Sequence, residues 1–287
     1  MTSPTPPTAS TLLTIAQTDV TSPIPTSTLY PLLTSPPFLS IPGTFNTRDL
    51  GLLPYPPGTP RIRPGLVIRT ASLQGLTPEG GAALRELGIK TIYDLRSIKE
   101  HETAPDPEVE GVEGVWVAGD ERDAMEDVRG FVEGGGEAGY EGMYLGVLGD
   151  YREVFKRVLE GIRDGEGKGG VLLHCNAGRD RTGVISGMLL GLAGVDPDII
   201  ALDFMLSRIG TEPAREQLLA FAMRGTGVTS VDEPGFYNLC SLRVSSWERF
   251  VKGVEREYGG WEGYVTGTLG FSQEDLDKIK RNLVVEG

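Results

Sequence analysis

The sequence holds two cysteines, Cys175 and Cys240, and two histidines, His101 and His174. So few cysteines exclude a disulfide framework. His174 and Cys175 are neighbours, and neighbours on a strand point to opposite faces. A clustered four-ligand zinc site therefore cannot be assembled from Cys and His, and no metal or cofactor is expected. Basic residues are also scarce. There are 27 Lys and Arg against 40 Asp and Glu, for a net charge of −13. That balance excludes a general nucleic-acid binder, which needs a basic stripe, and electrostatic docking on anionic membranes. A phosphate-bearing partner has to be drawn in by a local positive site. No Lys or Arg precedes Arg48, so neither a secretory leader nor a transit segment is expected. No apolar run approaches the roughly 20 residues of a membrane span, so no stable membrane insertion is expected. A free, reactive thiol suits a reducing compartment, and the cytoplasm is the expected location.

What remains is an ordinary globular composition over 287 residues, 39% hydrophobic and 23% charged, enough for a sizeable core. Residues 1–27 are rich in Thr, Ser and Pro and read as a mostly disordered tail, in which Leu12, Leu13 and Ile15 could form a small docked patch; residues 28–287 read as one domain. Leu66 to Thr70, Ile89 to Leu95, Val115 to Val117 and Gly170 to Leu173 read as strands. Helices are expected between them, including one from Thr77-Pro78-Glu79 to Gly88 and a long one from about Tyr140 to Arg163. The last third reads as helical, with starts at Asp196-Pro197, Glu212-Pro213 and Ser272-Gln273-Glu274-Asp275. Strands separated by helices predict an α/β fold, a mostly parallel sheet with helices on both faces. Ligands of such folds sit beyond the carboxyl ends of the strands.

The strand ending at His174 runs into Cys175-Asn176-Ala177-Gly178-Arg179-Asp180-Arg181-Thr182-Gly183, and the apolar stretch Val184 to Leu192 then reads as a helix. It is not a nucleotide P-loop, which needs a Lys-Ser/Thr pair after a Gly-rich run. Successive backbone N–H groups in a tight loop, followed by a helix N-terminus, form an anion nest. Asn176, Ala177, Gly178, Arg179, Asp180 and Arg181 are the expected phosphate-binding residues. The planar fork of Arg181 fits two phosphate oxygens. The field that holds a dianion also favours thiolate over thiol, so Cys175 is the candidate nucleophile. In-line attack of sulfur on phosphorus gives a phosphocysteine, which water hydrolyses. The leaving oxygen needs a proton; Asp180 is the first candidate donor, and Asp120 and Asp123 in the acidic stretch from Gly119 to Asp127 are its rivals. Thr182 can hydrogen-bond the sulfur as it leaves. His174 is expected to support the loop, and Cys240 to be an inert core thiol. Asn46-Thr47-Arg48-Asp49 reads as a polar network pinning the start of the domain.

The run His174-Cys175, five residues, then Arg181-Thr182-Gly183 resembles the signature loop of the cysteine-dependent protein tyrosine phosphatases. More narrowly, Cys175 to Gly183 resembles the atypical "tyrosine phosphatase 3" family of bacteria and fungi, which usually has Lys where this chain has Arg179. Further matches are Asn46 to Gly51, Arg69-Thr70-Ala71, Asp94-Leu95-Arg96-Ser97 with Glu100, and Leu206-Ser207-Arg208. The resemblance implies a phosphatase-like central sheet and the thiol mechanism. It also implies Asp180 as acid, since some members are proposed to use the Asp within the loop. The expected function is a protein-tyrosine or dual-specificity phosphatase. The alternative is a phosphoinositide or inositol-phosphate phosphatase of the same mechanism, since some members take such substrates and Arg179 could read a second phosphate. A phospho-binding module without turnover ranks below both.

Overall fold

A computed structural model describes residues 7–118, 127–165 and 169–285. In chain order the elements are α1 (Ala9–Ala16), α2 (Thr26–Leu33), β1 (Arg48–Asp49), β2 (Val67–Thr70), α3 (Pro78–Glu86), β3 (Ile89–Asp94), α4 (Ile98–Thr103) and β4 (Glu113–Trp116). They continue with α5 (Glu137–Asp150), α6 (Arg152–Asp164), β5 (Gly170–His174), α7 (Arg181–Leu192), α8 (Pro197–Gly210) and α9 (Arg215–Thr226). The last are α10 (Pro234–Cys240), α11 (Val244–Tyr258), the single turn α12 (Gly260–Gly263) and α13 (Gln273–Leu283). The strands form one sheet in the order β1-β2-β5-β3-β4, with β1 antiparallel to β2 and every other pairing parallel. This is the expected α/β architecture with a helical C-terminal third.

The period of two in β5 explains the layers. Leu172 packs with Ile68, Ile92 and Leu84 of α3 on one face. Val171 and Leu173 point the other way, into the larger core built with α5, α6, α7, α8 and α11. Helix α7 is buried all round from Thr182 to Leu190, so it reads as continuously apolar rather than amphipathic. The register sets Thr70 of β2 and Asp94 of β3 on either side of His174. The carboxyl ends of three strands therefore open together where the loop begins.

Two expectations are corrected. The stretch from Tyr140 to Arg163 is two helices, parted at Tyr151 (φ −104°, ψ 15°). Gly146 and Gly149 weaken the helix just before the break. Nor is the segment before residue 28 a disordered tail from Pro7 onward. Helix α1 is capped by Thr8, whose side chain accepts from the Thr11 N–H, and it buries Leu12 and Ala16 against the core. Arg208 of α8 then donates to the carbonyls of Thr18, Asp19 and Ser22. The patch of Leu12, Leu13 and Ile15 does dock, Leu12 buried and the other two half-buried against the core, and the guanidinium that holds the chain lies far away in sequence.

Candidate active site

Cys175 follows directly on β5 and is 2% exposed. Beyond it, the carbonyls of Asn176 to Arg179 are held from outside the loop. Ser72 N–H donates to Asn176 O at 3.0 Å. Asn46 Nδ2 donates to Ala177 O (2.9 Å) and Gly178 O (3.0 Å). Arg69 Nη2 donates to Gly178 O (2.7 Å) and Arg179 O (3.3 Å). Among the described residues, none of the N–H groups of Asn176 to Asp180 has an acceptor. With the carbonyls tied outward, these donors are left for an anion. Gly178 makes the bend possible: its φ is +61°, and a Cβ there would stand 2.3 Å from Thr70 O.

Behind the loop lies a fully buried ion cluster. Asp203 of α8 accepts from Arg48 Nε at 2.7 Å and Arg69 Nη1 at 2.5 Å. Arg48 also donates to Asn46 Oδ1 (2.6 Å), which orients the amide that holds the loop. Burial, and then the neighbouring Arg69 charge, push the Arg48 guanidinium down to about 10 against the pull of Asp203. Burial pushes the Asp203 carboxyl up, but the two guanidinium groups outweigh it and hold it below the usual carboxylate range. Two cations and one anion leave the cluster net positive on the side of the loop opposite the free amides. The Asn46 to Asp49 stretch thus pins the loop itself rather than only the start of the domain.

Arg181 opens α7 and is clamped by a residue the motif does not contain. Its Nη1 and Nη2 donate to the two carboxylate oxygens of Glu100 at 2.5 and 3.0 Å, and the guanidinium lies over the Tyr151 ring. Asn176 Nδ2 donates to the same carboxylate. Burial works against the Arg181 charge, but Glu100 and then the Cys175 sulfur outweigh it and keep the group firmly protonated. Burial likewise opposes the Glu100 charge, and Arg181 reverses it, holding that carboxyl below its usual range. Glu100 is placed by a capping box at the start of α4, in which the Ser97 N–H donates to Glu100 Oε2 at 2.8 Å. The Ser-x-x-Glu spacing was a readable cap signal.

Asp180 stands at the last loop position and does not cap α7. It is paired twice: Tyr144 of α5 donates to Oδ1 at 2.8 Å, and Arg179 Nε lies 3.0 and 3.1 Å from the two oxygens. The other ends of Arg179 meet the carbonyls of Cys240 (3.4 Å) and Leu239 (3.2 Å) at the end of α10. Asp120 and Asp123 lie outside the described residues. Asp127 is exposed and bonded by Arg129. Thr182 Oγ1 is buried and has no partner among the described residues. Burial pushes the Cys240 thiol up to about 11.

His174 is wholly buried, with Nε2 2.7 Å from Asp106 Oδ2. Asp94, Asp106 and His174 bring their polar atoms within 4.8 Å of one another, a grouping that could hold a cation. The Arg96 guanidinium already bridges the two carboxylates at 2.8 and 2.7 Å. Burial works against the Asp94 charge, but Arg96, His174 and His101 hold that carboxyl below the usual range. The network anchors the residue just before Cys175. No helix among the described residues is long and apolar enough to cross a membrane.

Residues 39–285 match the tyrosine phosphatase family. The chain is 31% identical over 222 residues to a tyrosine-protein phosphatase of Nostoc commune, covering 75% of this chain and 73% of that one. It is 27% identical over 275 residues to the triple specificity protein phosphatase PtpB of Mycobacterium tuberculosis, covering 84% of this chain and 96% of the relative. A match across most of the chain, over the fold and loop described above, places this protein in the tyrosine phosphatase family of hydrolases.

Proposed function

We propose that the loop from Cys175 to Arg181 is the catalytic centre of a protein-tyrosine phosphatase of dual specificity, working through a phosphocysteine intermediate. The phosphoryl group sits on the free N–H groups of Asn176 to Asp180 and the Nε–Nη2 edge of Arg181 that Glu100 leaves open. Cys175 Sγ, as thiolate, attacks phosphorus in line. The S–P bond forms, the bond to the leaving oxygen breaks, and Asp180 gives that oxygen its proton. In the second step water attacks phosphorus, its proton passes to the Asp180 carboxylate, and the S–P bond breaks to return thiolate. Thr182 Oγ1, buried and without a partner, is free to hydrogen-bond that sulfur. The observation that carries the reading is the set of free amide donors, carbonyls turned outward, around a buried thiol at the end of β5.

Pairing with Arg179 and Tyr144 answers one objection to Asp180 as acid, because a bare carboxylate within the nest would oppose the thiolate. The donors of Arg179 face Asp180 and two main-chain carbonyls. This favours a substrate with one phosphate, such as phosphotyrosine, over a polyphosphorylated inositol. A free thiolate nucleophile supports action in a reducing compartment such as the cytoplasm.

The test is hydrolysis of para-nitrophenyl phosphate, then of phosphotyrosine, phosphoserine and phosphothreonine peptides alongside phosphoinositides. Cys175→Ser is expected to abolish turnover while keeping inorganic phosphate binding by calorimetry. Turnover by Cys175→Ser would overturn the covalent mechanism, and a preference for phosphoinositides would overturn the substrate reading.

A further inference from the structure

Helix α5 carries two phenols one turn apart, Tyr140 and Tyr144, and both are fully buried. Buried phenols need partners, and these find theirs at Asp180 for Tyr144 and at the carbonyls of Leu239 and Ser241 for Tyr140. Tyr144 OH donates to Asp180 Oδ1 at 2.8 Å. Tyr140 OH donates to Leu239 O at 2.7 Å, the same carbonyl that accepts from Arg179 Nη2 at 3.2 Å. Arg179 Nε returns to Asp180. The bonds close a ring through Tyr144, Asp180, Arg179, Leu239 and, along α5, Tyr140.

The ring leaves Asp180 little freedom. The Tyr144 ring is caged edge-on by Tyr140, Phe204 and Phe250, with centroids at 5.4, 6.1 and 5.3 Å. Its hydroxyl can reach only the loop. Burial, followed by the Asp180 charge, pushes the Tyr144 phenol well above its usual range, so it stays a donor. The two oxygens of Asp180 are unequal as a result. Oδ1 accepts from both Tyr144 and Arg179, whereas Oδ2 accepts from Arg179 alone, at 3.1 Å.

We infer that Tyr144 is a positioning residue for proton transfer: it occupies Oδ1, so that Asp180 carries its proton on Oδ2 and delivers it from there to the leaving oxygen. The inference rests on the reading of Asp180 as the acid. Proton accounting is closed: the Oδ2–H bond breaks as the new O–H bond forms on the alcohol or phenol, and the carboxylate regains a proton from the attacking water.

The test uses two aryl phosphates. Phenyl phosphate expels a phenolate about as basic as tyrosinate, with a pKa near 10, and needs the acid. 2,4-Dinitrophenyl phosphate expels a weakly basic phenolate and does not. Rates are compared as kcat/KM, which ends at formation of the phosphocysteine, because Asp180 also takes the water's proton in the second step common to both substrates. Asp180→Asn sets the scale: its loss of roughly 10²-fold or more in kcat/KM should be confined to phenyl phosphate. Tyr144→Phe keeps the cage and removes one oxygen. It is expected to lose about 10-fold in kcat/KM on phenyl phosphate, a part of the general-acid effect, and to leave kcat/KM on 2,4-dinitrophenyl phosphate within about twofold. Tyr140→Phe, on the far side of the ring, should show the same pattern more weakly. If Asp180→Asn slows both substrates equally, the acid assignment itself fails. If Asp180→Asn behaves as expected but Tyr144→Phe slows both equally or neither, Tyr144 is only a core residue and the inference is overturned. Should Tyr144→Phe fold poorly, Tyr140→Phe gives the same decision by its ratio of the two rates.

Discussion

Replacing Asp203 by Asn tests whether the charge cluster behind the loop does what its geometry implies. The carboxylate is the one anion between two guanidinium groups, Arg48 at 2.7 Å and Arg69 at 2.5 Å, all of them buried. The amide keeps the shape but removes the charge, leaving two buried cations sharing a neutral partner. Removing one member of a buried pair costs about 3–5 kcal/mol. Two orphaned partners put Asp203→Asn at the upper end. Against a total stability of about 5–15 kcal/mol this is a large fraction. At about 2–4 °C per kcal/mol for chains of this order of size, a loss near 5 kcal/mol lowers the thermal midpoint by roughly 10–20 °C. The folded carboxyl lies below its ordinary value. Its contribution is therefore complete above the unfolded value, about 3.9, and is lost as pH falls through the folded one. The gap between wild type and variant should accordingly be full at pH 7 and shrink in strong acid. Adding Arg48→Met removes one unpaired cation and should restore part of the loss. Urea unfolding at pH 7 and at successively lower pH measures all of this. A loss under about 1 kcal/mol, within the spread of ordinary surface changes, would refute the reasoning, as would a gap that does not change with pH.

Two shorter predictions follow from particular contacts. Gly178→Ala puts a Cβ 2.3 Å from Thr70 O at a φ of +61°. It should cost about 1–3 kcal/mol in unfolding experiments and weaken inorganic phosphate binding in calorimetry, because the amides it displaces are the anion donors. Leu12→Ala should cost about 2–5 kcal/mol by chemical denaturation, since Leu12 is buried against the core; a disordered tail would make it silent.

The fold was legible where burial is two-sided. Val67 to Thr70 and Gly170 to His174 are completely buried strands, and each is readable from the apolar run that opens it, Val67-Ile68 and Val171 to Leu173. The edges were less so: β1 is two polar residues, Arg48 and Asp49, that pair because their side chains are consumed elsewhere. The site divides along the same line. Cys175, Gly178, Asp180, Arg181 and Thr182 are contiguous because a nest needs successive amides, so one stretch of sequence displays them. Glu100, Tyr144 and Asp203 are brought in by the packing of three separate helices, and each carries a bland local reading. Tyr144 looks like an apolar helix face, Asp203 like a solvated turn of helix, and Glu100 like a cap residue.

Local pattern could not have ranked these three, because the property that matters is what the other side of the contact lacks. An aspartate in α8 is unremarkable until the helix proves buried all round, at which point its charge demands cations. Arg48 and Arg69 answer that demand, and having two of them leaves one charge over. That surplus cannot be neutralised by the loop's carbonyls, which accept hydrogen bonds but bear no net charge. An anion on the free amides of the proposed phosphate site would oppose that surplus, and so couple the stability of the core to phosphate binding. The coupling has a direction: bound phosphate should raise the unfolding midpoint of the wild type in calorimetric scans.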